Sequence, residues 1–167
     1  QFGVVVIKRK NKVRINMSID WEDYVEPALA DASKEDIDNL EKKTGFFLPD
    51  DYKELIIHSQ GKCPSRELIE SEELAPVPFG PLYHIKEECT EELLSYAVLR
   101  KWNKWKDVYS NLLPIADAGG GASFFAYDFS SNEPRIIFVN TEEEPDNEDA
   151  ILFVANSITE LIENLID

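Results

Sequence analysis

Asn111–Phe129, NLLPIADAGGGASFFAYDF, reads as two strands joined by a glycine turn. Leu112, Leu113 and Ile115 form a short apolar run closed by Asp117. Gly119, Gly120 and Gly121 follow, and consecutive glycines give the backbone the freedom at positive φ that a tight reversal needs. Phe124, Phe125, Ala126, Tyr127 and Phe129 then supply a strongly aromatic strand around Asp128. A hairpin of this kind predicts the middle of a sheet, with the flanking segments covering or extending it.

Downstream, Arg135–Val139 and Ala150–Val154 predict two further strands. Between them Glu142–Asp149, EEEPDNED, reads as a solvated acidic loop. Ser157 with Glu160 has the spacing of a full capping box for a final helix, which places Ile158, Leu161, Ile162, Leu165 and Ile166 on one face.

Upstream, Thr90 is placed to cap one helix of about twenty residues over Glu91–Tyr109. Its expected buried stripe includes Trp102 and Trp105, and Arg100, Lys101, Lys104 and Lys106 make its other side a basic patch. Leu82–Ile85 predicts a short strand, and Lys62–Pro81, with four prolines, a loop-rich passage. Before it lie two helices. Ser33 caps the first with Asp36 in the capping-box position, and Gly45 stops it. Pro49 suits the first turn of the second, Asp50 and Asp51 favour its positive end, and Gly61 ends it. Asp20–Leu29 is a further helix candidate, on the spacing of Trp21, Tyr24 and Val25.

The chain carries a net charge of −16, unevenly placed. Residues 1–16 hold five basic groups and no acidic one, so the remaining body stands at −21. The start reads as a basic appendage: an upstream domain's tail, a linker or a remnant of cloning. Val4–Ile7 and Val13–Ile15 are candidate strands within it, and residues 17–167 read as a single domain. A body this acidic repels a phosphate backbone, which disfavours nucleic acid, whereas a basic protein partner is attracted and steered. The same charge also serves solubility alone. No apolar run approaches the length of a membrane span, no signal-peptide pattern appears, and two cysteines make no disulfide framework. The expected setting is the cytoplasm, with no membrane association.

The order of these blocks resembles the SUKH superfamily, which includes fungal cell-wall-assembly regulators and many bacterial toxin-immunity proteins. Ile37, Leu40, Glu41 and Gly45 carry the resemblance, with Leu48-Pro49-Asp50-Asp51-Tyr52 and Gly61. Leu113-Pro114-Ile115-Ala116 through Gly121, Tyr127-Asp128 and Ser157–Leu161 complete it. Together they span roughly Ala32–Asp167. Family members often carry Gly-Gly where this chain has Gly61-Lys62, and residues 1–16 match nothing in the pattern. The resemblance implies an α+β fold with a single, mostly antiparallel sheet covered by helices. It also implies protein binding, commonly the neutralisation of a toxin, often a basic nuclease.

The glycine run lacks the Lys-Ser/Thr and receiving helix of a phosphate loop. Asp117 and Asp128 flank the turn, and paired carboxylates serve acid–base work, yet Asp at a strand end is commonly turn chemistry. His58, Cys63, His84 and Cys89 supply zinc-type ligands without a zinc-type spacing. No catalytic residue, cofactor or metal is therefore expected. The leading expectation is an immunity protein that masks a cognate, basic toxin domain of the nuclease type, with Asp117, Asp128, Glu142, Glu143, Glu144, Asp146 and Glu148 as contacts. The alternatives are a regulatory interaction module and a hydrolase using Asp117 and Asp128.

Overall fold

The computed structural model describes residues 19–167. The strands expected within Val4–Ile15 and the boundary at Met17 lie outside the described residues. The hairpin that decides the fold forms β5 (Leu112–Asp117) and β6 (Phe124–Asp128), and the meander continues through β7 (Arg135–Val139) and β8 (Ile151–Ala155). These four strands make an antiparallel sheet in chain order. Two antiparallel pairs accompany it: β1 (Trp21–Asp23) with β2 (Lys62–Pro64), and β3 (Leu68–Ile69) with β4 (Val77–Pro78). The fold is α+β and antiparallel as expected, but the strands of the described residues divide among three sheets rather than one.

Residues 80–83 join the first pair to the main sheet. Leu82 donates its N–H to the Lys62 carbonyl at 3.0 Å, and Tyr83 donates to the Ile115 carbonyl at 2.8 Å. The expected strand Leu82–Ile85 is thus not a continuous strand: Leu82 bridges Ala116 on the outer edge of β5, and His84 bridges Ala97. It shields a backbone edge that would otherwise invite pairing with another chain.

The helices on the amino-terminal side are α1 (Lys34–Thr44) and α2 (Asp50–Ser59). Ser33 closes a full capping box: its hydroxyl accepts from the Asp36 N–H at 3.0 Å, and the Asp36 carboxylate accepts from the Ser33 N–H at 2.8 Å. Gly45, at φ 77°, ends α1 by donating to the Glu41 carbonyl. The last helix, α5 (Ile158–Glu163), follows α3 (Glu91–Leu94) and α4 (Val98–Trp105). At its start Ser157 accepts from the Glu160 N–H, but the Glu160 carboxylate takes the N–H of Asn156, one residue before the position a capping box requires.

β6 is covered on both faces, which is why Phe124–Tyr127 are all buried and do not alternate with polar residues. Tyr127 meets Tyr52 of α2 edge-on, and Phe125 packs on Phe79 and Phe138. On the opposite face Trp105 of α4 packs on Phe124 at 5.6 Å between ring centroids. One core cluster runs through α1, α2, α4, α5 and the main sheet.

Two expected helices are corrected. Asp20–Leu29 contains the strand β1, because Trp21–Asp23 pairs with Lys62–Pro64, and Tyr24 and Val25 donate to the Gly61 carbonyl. Pro27 would in any case have removed a backbone donor from a helix there. Glu91–Tyr109 is two helices, not one. His84 reaches into the chain between them: its N–H bonds the Tyr96 carbonyl and its carbonyl accepts from Val98, both at 2.9 Å. Ala97 is held extended, at φ −90° and ψ 129°. The His84 ring completes the break, with Nε2 at 2.7 Å from the Leu93 carbonyl at the end of α3. Among the described residues no helix is long and apolar enough to cross a membrane.

Candidate functional site

The acidic loop between β7 and β8 has a built backbone. Asn140 and Ala150 close it, with the Asn140 N–H on the Ala150 carbonyl at 2.8 Å. The Asn140 side chain accepts from the Glu142 N–H, and Asn147 accepts from the Asp149 N–H, each two residues on. These are the local side-chain turns to which Asn is suited. Glu143 accepts from the Asn147 amide at 3.0 Å and is half-buried. Glu142, Glu144, Asp146 and Glu148 are exposed, and none of the five carboxylates forms an ion pair with a described residue.

Beside this loop runs a groove of about 530 Å³. Val77 and Pro78 of β4, Ala122 of the glycine turn, Phe138 of β7 and Leu152 of β8 line it. Glu142 stands on one rim and Glu73 on the other, with exposed Glu72 next to Glu73. Among the described residues no lysine or arginine lines the groove. Its walls are tied together. The Thr141 N–H donates to the Ser123 hydroxyl at 3.2 Å, the Gly80 N–H to the Asp117 carbonyl at 2.8 Å, and the Ser71 hydroxyl to the Phe153 carbonyl.

The seven contacts expected from the sequence do not lie together. Val139 pairs with Phe124, so the acidic loop and the glycine turn share one end of the sheet. Asp128 pairs with Leu112 and Arg135 at the other end, four residues along β6 from Phe124, which is about 13 Å at strand rise. It does not flank the turn; its carboxylate accepts from the Ser130 N–H at 2.9 Å. Asp117 does sit at the turn, but it is buried. It accepts from the Tyr83 hydroxyl at 3.3 Å. Burial raises its pKa; the Lys101 ammonium, the Tyr83 hydroxyl and the N–H groups of Ala118 and Gly120 act the other way. Lys101 lies 5.4 Å over the Tyr83 ring, and burial lowers its own pKa. Asp117 is thus the anchor of the turn, and the two aspartates do not converge as an acid–base pair.

The four candidate zinc ligands are also engaged or apart. His58 is exposed and pairs with Asp31 at 2.9 Å. In His84, Nε2 faces the Leu93 carbonyl and Nδ1 accepts from the Lys86 N–H at 3.2 Å, so both ring nitrogens are occupied. Burial, with the carboxylates of Glu67, Asp117 and Glu22, pushes the Cys63 thiol up to about 11. Such a thiol is protonated at neutral pH and is a poor nucleophile. Trp102 and Trp105 are half-buried against the core, with Lys106 and Lys104 over their rings.

The second rim, Glu72 and Glu73, was not among the residues expected from the sequence. A Glu-Glu pair in a proline-rich passage carries no signal of its distant neighbour; only the docking of the β3–β4 pair against β7 and β8 creates the groove. Comparison with curated proteins gives no match. The family model described as the SMI1 / KNR4 family (SUKH-1) matches residues 31–164, from the approach to α1 through the end of α5, and so includes the groove and the acidic loop. The blocks that suggested the SUKH superfamily lie within this span or at its edge, and the chain belongs to the SMI1 / KNR4 family (SUKH-1).

Proposed function

We propose that this chain is an immunity protein that binds a basic toxin domain, of the nuclease type, and masks it in the cytoplasm without turning over any substrate. The observation that carries the reading is the β7–β8 loop: a built backbone presenting carboxylates that no described cation neutralises. A flexible tail would serve solubility as well; a shaped acidic surface also suits recognition, because charge complementarity sets association rate and partner choice. Family membership agrees with a protein-binding role, and the wide separation of Asp117 from Asp128 gives no support to a hydrolase built on the pair.

The test is neutralisation. The product of the gene beside this chain's own, as the candidate toxin domain, is expressed with and without the chain, and growth and complex formation are followed. Growth rescue with a stoichiometric complex is the expected result, together with an association rate that falls as salt rises while dissociation changes less. Rescue through an insoluble or degraded toxin, with no complex, overturns the reading. So does turnover of a substrate by the chain itself that is lost in Asp117→Asn.

A further inference from the structure

Resting on that reading, we infer that the groove between Glu73 and Glu142 is the anchor site of the interface. It takes an apolar side chain from a partner segment whose flanking residues are lysines or arginines. Its floor is apolar, from Val77, Pro78, Phe138 and Leu152, and no lysine or arginine among the described residues lines it. Its rims come from chain segments far apart in sequence, and both are acidic: Glu72 and Glu73 on one side, Glu142 and the rest of the β7–β8 loop on the other. An apolar trench between two negative rims is complementary to an apolar residue between positive ones. It selects against a purely polar segment, which would leave the apolar floor uncovered, and against an acidic one, which the rims would repel.

The shape is fixed before binding. Gly119, at φ 71°, lies so close to Pro78 that a Cβ there would fall 2.9 Å from the proline Cβ and Cγ. The glycine turn is therefore seated directly on the β4 wall. Ser123–Thr141 and Ser71–Phe153 hold the other two walls. A preformed pocket loses less free energy to ordering when it is filled, so the apolar side chain contributes to residence time while the rims act on encounter.

The experiment uses a fluorescein-labelled peptide, Lys-Arg-Lys-Leu-Trp-Leu-Lys-Arg-Lys, and a second with Gly-Ser-Gly replacing Leu-Trp-Leu. Fluorescence anisotropy against the whole chain is expected to show the first binding about tenfold or more tightly. Ala75→Trp and Ala122→Trp, both at exposed positions lining the groove, fill it without altering charge and should bring the two peptides to equal affinity. Glu73→Lys with Glu142→Lys should weaken both peptides and flatten their salt dependence. Equal binding of the two peptides to the unaltered chain overturns the inference. So does a preference that survives both tryptophan variants, whose folding is checked by circular dichroism; should either unfold, the charge-reversed variant alone decides, and unchanged salt dependence there counts against the groove. A toxin domain neutralised normally by the groove-filled variants would sink the anchor site and leave the immunity reading intact. Peptide selectivity at the groove without any neutralised toxin would do the reverse.

Discussion

Asp51 and Thr159 meet across 108 residues: one carboxylate oxygen accepts both the Thr159 N–H, at 3.2 Å, and the Thr159 hydroxyl, at 2.8 Å. The aspartate at the start of α2 therefore also caps the start of α5, and the Leu-Pro-Asp-Asp-Tyr and Ser-Ile-Thr blocks form one joint. Asp51→Ala is expected to cost about 1.5–3 kcal/mol, the range for hydrogen bonds to a charged group. In a double-mutant cycle, Thr159→Val should add little once Asp51 is gone. Full additivity in urea melts would show that the joint carries no energy.

At the glycine turn two neighbours should respond differently to the same change. Gly119 and Gly120 both have positive φ, 71° and 82°. A Cβ on Gly120 meets open space, whereas one on Gly119 meets Pro78. Gly120→Ala is expected to cost about 1–2 kcal/mol for the left-handed backbone alone. Gly119→Ala should cost that plus about 1–3 kcal/mol for overpacking. Equal losses in thermal melts would mean that the turn is not seated on β4.

The His84 ring gives a pH signature. Its Nδ1 accepts from the Lys86 N–H, so a proton there would set two donors face to face. Burial lowers its pKa, with the Leu93 carbonyl acting in the opposite direction. A depressed folded value means that the unfolded chain, titrating near about 6.5, binds the proton first. The contribution is complete above that pH and is lost as pH falls toward the folded value. Urea stability measured between pH 7 and pH 5.5 should decline, and His84→Gln should lower stability at pH 7 and flatten that slope. An unchanged slope in the variant would assign the decline to other groups.

Tyr52 offers a change expected to be harmless. It is fully buried, and its hydroxyl has no hydrogen-bond partner among the described residues. Tyr52→Phe should leave stability within about 1 kcal/mol or raise it, because an unmatched buried polar group is removed. Tyr52→Ala should cost about 3–5 kcal/mol, by loss of the ring that packs on Tyr127. A large loss in Tyr52→Phe would reveal a buried partner for the hydroxyl.

What the sequence made legible was local. The glycine turn, the Ser33 box and the Gly45 stop depend on residues a few positions apart, and each forms as their chemistry requires. The break in Glu91–Tyr109 was invisible because its cause is His84, a residue outside the segment that takes backbone bonds on both sides of Ala97. The strand at Trp21–Asp23 was hidden in the same way, by a partner forty residues on. The acidic loop was readable as composition. The groove was not, because its two rims and its floor come from four separate segments.

The meander also sets an order in time. Each of β6, β7 and β8 pairs with the strand made just before it, so this sheet can be assembled as the chain leaves the ribosome. The α2 helix has no such option. Its Asp51 waits for Thr159, which at ordinary synthesis rates of about 5–20 residues per second arrives roughly 5–20 s later. Through that interval the apolar face of Tyr52, Leu55 and Ile56 lacks its last cover, α5. A nascent chain stalled before Ser157 therefore leaves this face open to chaperones and to aggregation.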